Sequence, residues 1–430
     1  MKNLTIQMLL CITLFPAILF SQQSSMLYYR SAVMDGNNVK TVFGNWGVIA
    51  QPIDTKPRGA WRYPANGYFG DESIMIGVEF PIKDYNNDGI LDTLRSVITC
   101  PVARPAKNPD SSPQGDHWTF LPLNTTVNEN STSVPISNDP SSWPLSWNGQ
   151  WKGMNAEGKI DADLESYFEM NDQNDLRYNF SANNEFGYAV HPDSTNSNRN
   201  GAGLRVAVRY LQFNDPLFKD LLFRVYDITN EGTTNYSKLF FGYLVGTYIG
   251  VTGATDFREY DDDYSIFYKK ENLILAGDYP QDNSRNPFWR GSVGKVGFTF
   301  IDAPNRNEIG SYNYFAPAGN IDLRNDKTLW KMFSEGTNST PASIVNDTTV
   351  LHGEDGDFTF GSHYFPLNGG ETKRIASVIV FDSLKDNLVI KTKFAQVLYR
   401  NNFDRSKIGA SLSLKNLNSF KKISETFTVQ

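Results

Sequence analysis

The segment LLFRVYDITNEGTTNYSKLFFGYLVGTYI, residues 221–249, indicates the fold class. Leu221–Ile228 and Leu239–Ile249 are apolar at both odd and even positions, as expected of strands that are covered on both faces. Between them, Asn230 and Gly232 lie in a polar stretch whose residue types favour a turn. The segment therefore predicts two central strands of a covered β-sheet.

Further strands are predicted on both sides of this segment. Ile74–Ile82 alternates apolar and other residues, which is typical of a strand with one buried face. Val293–Ile301 and Ile375–Phe381 are shorter apolar runs that also predict strands. Apolar residues at helical spacing predict a helix over Leu384–Asn402, and a shorter helix is expected from about Asp161 to Met170.

Composition agrees with a β-rich globular protein and excludes several function classes. The chain has 430 residues, of which 40% are hydrophobic and 20% charged, so it is not a disordered chain. Aromatic residues reach 13%, and 33 Gly and 21 Pro favour strands and turns. The net charge is −7 and no basic tract is present, which argues against nucleic acid or anionic membrane surfaces as partners.

The N-terminus predicts export. Lys2 precedes an apolar run from Leu4 to Phe20, and Ser21 is a small residue at the expected cleavage point, so residues 1–21 are interpreted as a signal peptide. A membrane anchor is the less favoured alternative because the run is short and contains Pro16. The mature chain is expected to be secreted or held at the outer cell surface, with no membrane span after cleavage.

The sharpest motif is DYNNDGILD, residues 84–92. It follows the D-x-N-x-D-G-x-x-D pattern of a calcium loop, in which alternate side-chain oxygens converge on one ion and glycine permits the turn. Arg95 stands where an EF-hand would supply a bidentate Glu, and the flanking segments are predicted strands. A hairpin turn that binds nothing is the alternative. The sequence predicts a structural calcium site, with these ligands: Asp84, Asn86, Asp88, the Ile90 carbonyl and Asp92.

Catalytic motifs are scarce. The sequence contains no GxSxG motif, P-loop or HExxH motif. A polysaccharide hydrolase would need two carboxylates about 5–10 Å apart across a cleft, and the candidates are the Asp261–Asp263 run and Glu165. The preferred interpretation of the Asp261–Asp263 run is a solvated loop.

Tryptophans form the last notable pattern. Trp143, Trp147 and Trp151 recur at a spacing of four, with Trp118 upstream. Exposed rings of this kind stack on sugars, but buried Trp residues that fill gaps between sheets are the favoured interpretation. A flat exposed Trp platform would favour a binding module. Two carboxylates that face each other across a cleft would favour a hydrolase, and fully buried rings would favour a structural role.

Several short stretches resemble a group of large secreted or surface β-rich proteins of Bacteroidetes and related bacteria, which are associated with type IX secretion. The matching pieces are Asn45–Ile49, Trp143-Pro144 with Trp147, Glu165–Asp172, Tyr226–Thr234, Val245–Gly250, Asp261–Asp263, Pro366–Glu371 and Ala395–Phe403. The resemblance implies an extracellular, β-rich surface protein and implies no activity, so it assigns no functional residue. No C-terminal sorting domain is evident, which leaves surface anchoring open.

Together these observations predict a mainly β protein: a β-sandwich with an additional N-terminal β region and one C-terminal helix. The expected divisions are residues 1–21 as signal peptide, 22–200 as the N-terminal β region with the calcium-type loop, 201–403 as the β-sandwich ending in the helix, and 404–430 as a tail. The expected function is a non-catalytic structural or binding role. The alternative is a carbohydrate-binding module or a polysaccharide hydrolase, with a polysaccharide or a cell-surface protein as partner.

Overall fold

A computed structural model describes residues 26–50, 56–84, 86–99, 120–173, 191–250, 263–278, 289–315, 326–339 and 356–408. Within these ranges the chain is mainly β. The strands are β1 (Ser31–Met34), β2 (Val39–Gly44), β3 (Val48–Ile49), β4 (Ala60–Trp61), β5 (Phe69–Pro81), β6 (Thr93–Thr99), β7 (Leu121–Pro122), β8 (Leu164–Asn171), β9 (Leu204–Gln212), β10 (Leu221–Asn230), β11 (Tyr236–Thr247), β12 (Asp263–Tyr268), β13 (Leu273–Asp278), β14 (Lys295–Asp302), β15 (Ile309–Tyr314), β16 (Phe358–Ser362), β17 (Phe365–Leu367) and β18 (Thr372–Asp382). The α-helices are α1 (Asp326–Met332) and α2 (Lys385–Arg400).

The strands form two antiparallel sheets that pack face to face. The larger sheet has ten strands, with the main order β1-β2-β3-β5-β11-β16-β15, while β4, β6 and β17 pair at its sides. The smaller sheet has eight strands in the order β12-β13-β14-β18-β10-β9-β8-β7. Rings from opposite sheets meet in one shared core, as where Phe43 and Tyr210 pack edge to face at 5.1 Å. The expected β-sandwich is confirmed.

The segment 221–249 connects the two sheets. Strand β10 lies between β18 and β9 at the centre of the smaller sheet, and β11 lies between β5 and β16 at the centre of the larger sheet. The turn between them carries the chain across the core, so Tyr226 and Phe241 face each other at 4.9 Å. Gly232 is required in this turn, because a Cβ there would lie 2.3 Å from the Pro192 carbonyl oxygen.

Both sheets combine strands from before and after residue 200. Strand β5 pairs with β11 in the larger sheet, and β8 pairs with β9 in the smaller sheet. One hydrophobic cluster includes side chains from both parts of the chain. The expected boundary at residue 200 therefore falls inside two continuous sheets.

The short helix expected from Asp161 to Met170 is wrong, because this segment forms strand β8. Leu164 and Phe168 are buried and fit a period of two as well as a helical period, and pairing along the whole length of β9 selects the strand.

The long helix predicted near the C-terminus is confirmed as α2, which packs against β14 and β18. Helix α1 has no counterpart in the sequence-based expectations; it covers the outer face of the larger sheet, where Phe333 stacks on Phe240 at 4.6 Å. No helix among the described residues is long and apolar enough to cross a membrane.

Several expectations concern residues outside the described ranges, namely the signal peptide at 1–21, Asp261, Asp262, Trp118 and residues 409–430 of the expected tail. The start of that tail is described and contacts the sandwich. Arg405 Nη1 lies 2.9 Å from a carboxylate oxygen of each of two aspartates, Asp163 and Asp215.

Candidate functional site

An open groove of about 550 Å³ lies beside the smaller sheet, in the connection between β7 and β8. Its walls come from two neighbouring stretches of this connection, residues 143–151 and residues 157–160. The lining residues are Trp143, Gly149, Gln150, Trp151, Glu157, Gly158, Lys159 and Ile160.

Local backbone conformation builds the groove. Asn148 and Gly149 take positive φ values of 51° and 71° and reverse the chain after a short 3₁₀ turn. The Gly158 amide donates to the Trp151 carbonyl at 2.7 Å, which fixes one wall against the other. Gly153 permits a close approach, since a Cβ there would lie 2.0 Å from the Lys159 carbonyl oxygen.

Trp143 is the partly exposed tryptophan of the groove. Its side chain is half-buried, whereas Trp147 and Trp151 are only 5% and 1% exposed. Its Nε1 donates to the Ile136 carbonyl at 2.8 Å, and its ring centroid lies 5.3 Å from that of Trp151. The packing interpretation thus holds for Trp147 and Trp151, while the ring of Trp143, which makes these two contacts, lines the groove.

Charged groups at the groove occur as pairs. Lys152 Nζ lies 2.5 Å from a Glu157 carboxylate oxygen, and Lys159 Nζ lies 2.7 Å from Asp161. Burial opposes ionisation of Asp161, but hydrogen bonds from Asn155 and Lys159 hold the pKa of its carboxyl below the usual value. The hydrogen bond with Asp161 also raises the pKa of Lys159, so this pair is ionised on both sides.

Glu165 lies behind the groove wall and not in the groove. It is 1% exposed and accepts hydrogen bonds from Trp151 Nε1 at 2.8 Å and from the Ala162 amide at 2.7 Å. Burial raises the pKa of this carboxyl, while those hydrogen bonds oppose the shift. The carboxylate holds the Trp151 ring and the start of β8 in place, which is a structural role.

The structure places the two described hydrolase candidates, Glu165 and Asp263, far apart. Asp263 is fully buried on β12, and its Oδ2 accepts the Ile249 amide at 2.9 Å. Strands β12 and β8 are six strand spacings apart in the same sheet, or about 29 Å. A glycosidase pair needs about 5–10 Å, so Glu165 and Asp263 cannot form one.

The calcium-type loop follows β5; residues 86–91 are exposed, and Asp84 and Asp92 are half-buried. Asp84 Oδ1 and Asn86 Oδ1 accept the same amide, that of Asp88, at 3.3 and 2.9 Å, so these two oxygens lie near each other. The Asp88 carboxylate accepts the Ile90 amide at 2.8 Å. Across the described ranges, however, no three His, Cys, Asp or Glu side chains are close enough to hold a metal ion.

Sequence reasoning missed four groove residues, Gln150, Glu157, Lys159 and Ile160. The available signal was the series of glycines at 149, 153 and 158, which marks successive tight turns after the tryptophans. Which side chains those turns would bring together depends on contacts that no local pattern encodes.

No protein-family model matches this chain, and no curated protein matches it in sequence. Among solved structures, it is similar to a polysaccharide lyase, with a TM-score of 0.30 and 10% identity over 85% of this chain and 34% of that one. It is also similar to heparan sulfate lyase HepC from Pedobacter heparinus, with a TM-score of 0.28 and 8% identity over 85% of this chain and 37% of that one. A putative aldose 1-epimerase from Escherichia coli K12 gives a TM-score of 0.27 and 8% identity, over 83% of this chain and all of that one.

The chain spans about a third of the length of the two lyases. Likeness at these TM-scores assigns neither a family nor an activity to this chain.

Proposed function

We propose that this chain is an exported, non-catalytic module that binds a polysaccharide in the groove beside Trp143. The observation that carries the proposal is the half-buried Trp143 ring, held rigidly by its bond to Ile136 and by its contact with Trp151. An aromatic ring fixed in advance loses little conformational freedom on binding, which favours affinity.

The groove offers the two kinds of contact that sugars use. The flat face of Trp143 matches the apolar C–H face of a pyranose ring, and Ile160, 44% exposed, adds apolar surface. The Gln150 amide supplies both donors and an acceptor for hydroxyl groups. Apolar surface with a few polar groups is the usual composition of a small-ligand site.

A binding role is preferred to hydrolysis because of the carboxylates. Glu165 is committed to structural hydrogen bonds, and Asp263 lies about six strand spacings away. Glu157 lines the groove but is paired with Lys152. Of the described candidates, neither Glu165 nor Asp263 therefore faces a second carboxylate across the groove.

The test is depletion of the purified protein from solution by a panel of insoluble polysaccharides. Wild type is expected to be depleted by at least one polymer, and Trp143→Ala is expected to weaken that binding roughly tenfold, the equivalent of about 1.4 kcal/mol. Tyr63→Ala is the matched control, because Tyr63 is a 40% exposed aromatic that does not line the groove. Equal binding by wild type and Trp143→Ala would contradict the assignment of the groove.

We also propose a structural calcium ion at the Asp84–Asp92 loop. Asp84, Asn86, Asp88 and Asp92 would supply side-chain oxygens and Ile90 its carbonyl. The proposal is supported by the convergence of the Asp84 and Asn86 side-chain oxygens on the Asp88 amide, because a calcium loop needs such oxygens close together. The ion would tie the connection between β5 and β6.

Thermal unfolding with millimolar calcium or with a chelator tests this ion. Binding to the native state alone adds about 2.7 kcal/mol when the free ion is at 100 times Kd. Asp88→Ala is expected to abolish the difference in Tm, and Glu308→Ala, which removes an exposed carboxylate elsewhere, is expected to retain it. A wild-type Tm that does not respond to calcium would refute the site.

Export remains part of the proposal and is supported by residues 1–21. Expression of the full chain in a bacterial host, followed by N-terminal sequencing of the exported protein, is expected to find Gln22 as the first residue. Recovery of uncleaved protein from the membrane fraction would instead support the anchor.

A further inference from the structure

Charge at the groove beside Trp143 is balanced among the residues that the structure describes. Two charged side chains line the groove, and each is paired with a neighbour outside the lining: Glu157 with Lys152 at 2.5 Å, and Lys159 with Asp161 at 2.7 Å. The two cations are matched by two anions, and no arginine is among the described residues that line the groove. A ligand that enters it therefore meets apolar surface, one amide and two internally compensated ion pairs.

Charge balance of this kind separates classes of polysaccharide. Sulfated or uronic polymers are held by lysine and arginine side chains, often with bidentate arginine contacts. Here each lysine at the groove already faces a carboxylate, and the whole chain has a net charge of −7, which repels a polyanion. A polycation would need free carboxylates, but Glu157 and Asp161 are paired.

We infer that the ligand is an uncharged polysaccharide, which stacks a sugar ring on Trp143 and forms hydrogen bonds with Gln150. This inference rests on the proposed function and narrows its substrate class. Gln150 fits the class because an amide donates and accepts without adding charge, as vicinal hydroxyl groups require. Trp143 fits it because ring stacking depends on apolar contact and is insensitive to salt.

The experiment compares uncharged polymers (glucan, mannan, xylan and chitin) with anionic ones (alginate, pectate and heparan sulfate). Depletion of the full-length mature protein is measured at about 0.01 M and about 1 M salt, where the Debye length falls from about 30 Å to about 3 Å. We expect binding to one or more uncharged polymers, with a dissociation constant that changes less than about twofold across this range. Trp143→Ala and Gln150→Leu are expected to weaken binding roughly tenfold, whereas Tyr63→Ala is expected to bind like wild type.

Two results would overturn the inference in distinguishable ways. Binding only to anionic polymers, lost at high salt, would refute the uncharged class while leaving polysaccharide binding at the groove in place. Failure to bind any polymer at either salt concentration would refute the proposed function and this inference together.

Discussion

Lys391 anchors helix α2 to the smaller sheet, and its removal should cost a large share of the stability. The side chain is 8% exposed, and its Nζ donates to Asp220 Oδ2 at 2.9 Å and to the Phe381 carbonyl at 2.8 Å. A third contact, at 2.8 Å, reaches Asp382 Oδ2. Two hydrogen bonds and one further ion-pair contact therefore hold the ammonium group, and two carboxylates depend on one cation.

The substitution Lys391→Met keeps the length of the side chain and removes its charge. Asp220, 6% exposed, would retain its hydrogen bonds from Trp61 and Asn38 but would lose its counter-ion. Removing one partner of a buried ion pair costs about 3–5 kcal/mol, because the other charge remains in a medium of low polarity. Against a typical total of about 5–15 kcal/mol, such a loss would leave the protein marginally stable.

Urea unfolding followed by tryptophan fluorescence measures this loss. Lys393→Met is the matched control, because Lys393 is exposed on the same helix and its substitution should change the free energy of unfolding by less than about 0.5 kcal/mol. In the double variant Lys391→Met/Asp220→Asn, the unpaired charge at residue 220 is removed too, so part of the stability should return. A free energy of unfolding for Lys391→Met within about 1 kcal/mol of wild type would refute the reasoning.

Three further predictions follow from buried contacts. Burial opposes ionisation of Asp220, but Lys391 outweighs this effect and lowers the pKa of the carboxyl. The resulting stability is present above the unfolded pKa of about 3.9 and is lost as pH falls through the lower folded pKa. When Tm is measured against pH in acid, Asp220→Asn should lose less stability than wild type, and equal slopes would contradict this. Gly153→Ala should displace the Lys159 carbonyl and weaken polysaccharide binding, and it should lower the free energy of unfolding in urea by about 1–3 kcal/mol. An unchanged binding curve would show that the loop tolerates the methyl group. Arg224→Met breaks the buried ion pair with Glu72 that links the two sheets, so it should lower the free energy of unfolding by about 3–5 kcal/mol. Adding Glu72→Leu should restore much of this stability. A double variant no more stable than the single one would argue against an electrostatic cause.

The strand predictions succeeded where one local period dominates. Ile74, Ile76 and Val78 alternate and are buried in β5, as the pattern predicts. The same strand also buries Met75 on its other face, which the alternation did not predict. Helix α1 covers that face, and its position depends on residues some 250 positions further along the chain.

The candidate site also separates what a local sequence pattern predicts from what tertiary contacts decide. Three tryptophans at equal spacing are equivalent in the sequence, yet only Trp143 is left half-buried at the groove. Trp151 is buried, and Glu165, on β8, accepts its indole N–H there. Glu165 and Asp263, the two described hydrolase candidates, lie six strand spacings apart, and their spacing along the chain says nothing about their places in an eight-stranded sheet.

The sequence by itself determined the β-rich class, the central strands β10 and β11, the helix α2 and the residue types of the calcium-type loop. These follow from periodicity and turn chemistry, which act between residues close together in the chain. Only the tertiary structure decided that β10 and β11 lie in opposite sheets, that strands from both sides of residue 200 share one core, and that Trp143 faces a charge-balanced groove. Those outcomes depend on which distant surfaces bury each other, and no local pattern specifies such a choice.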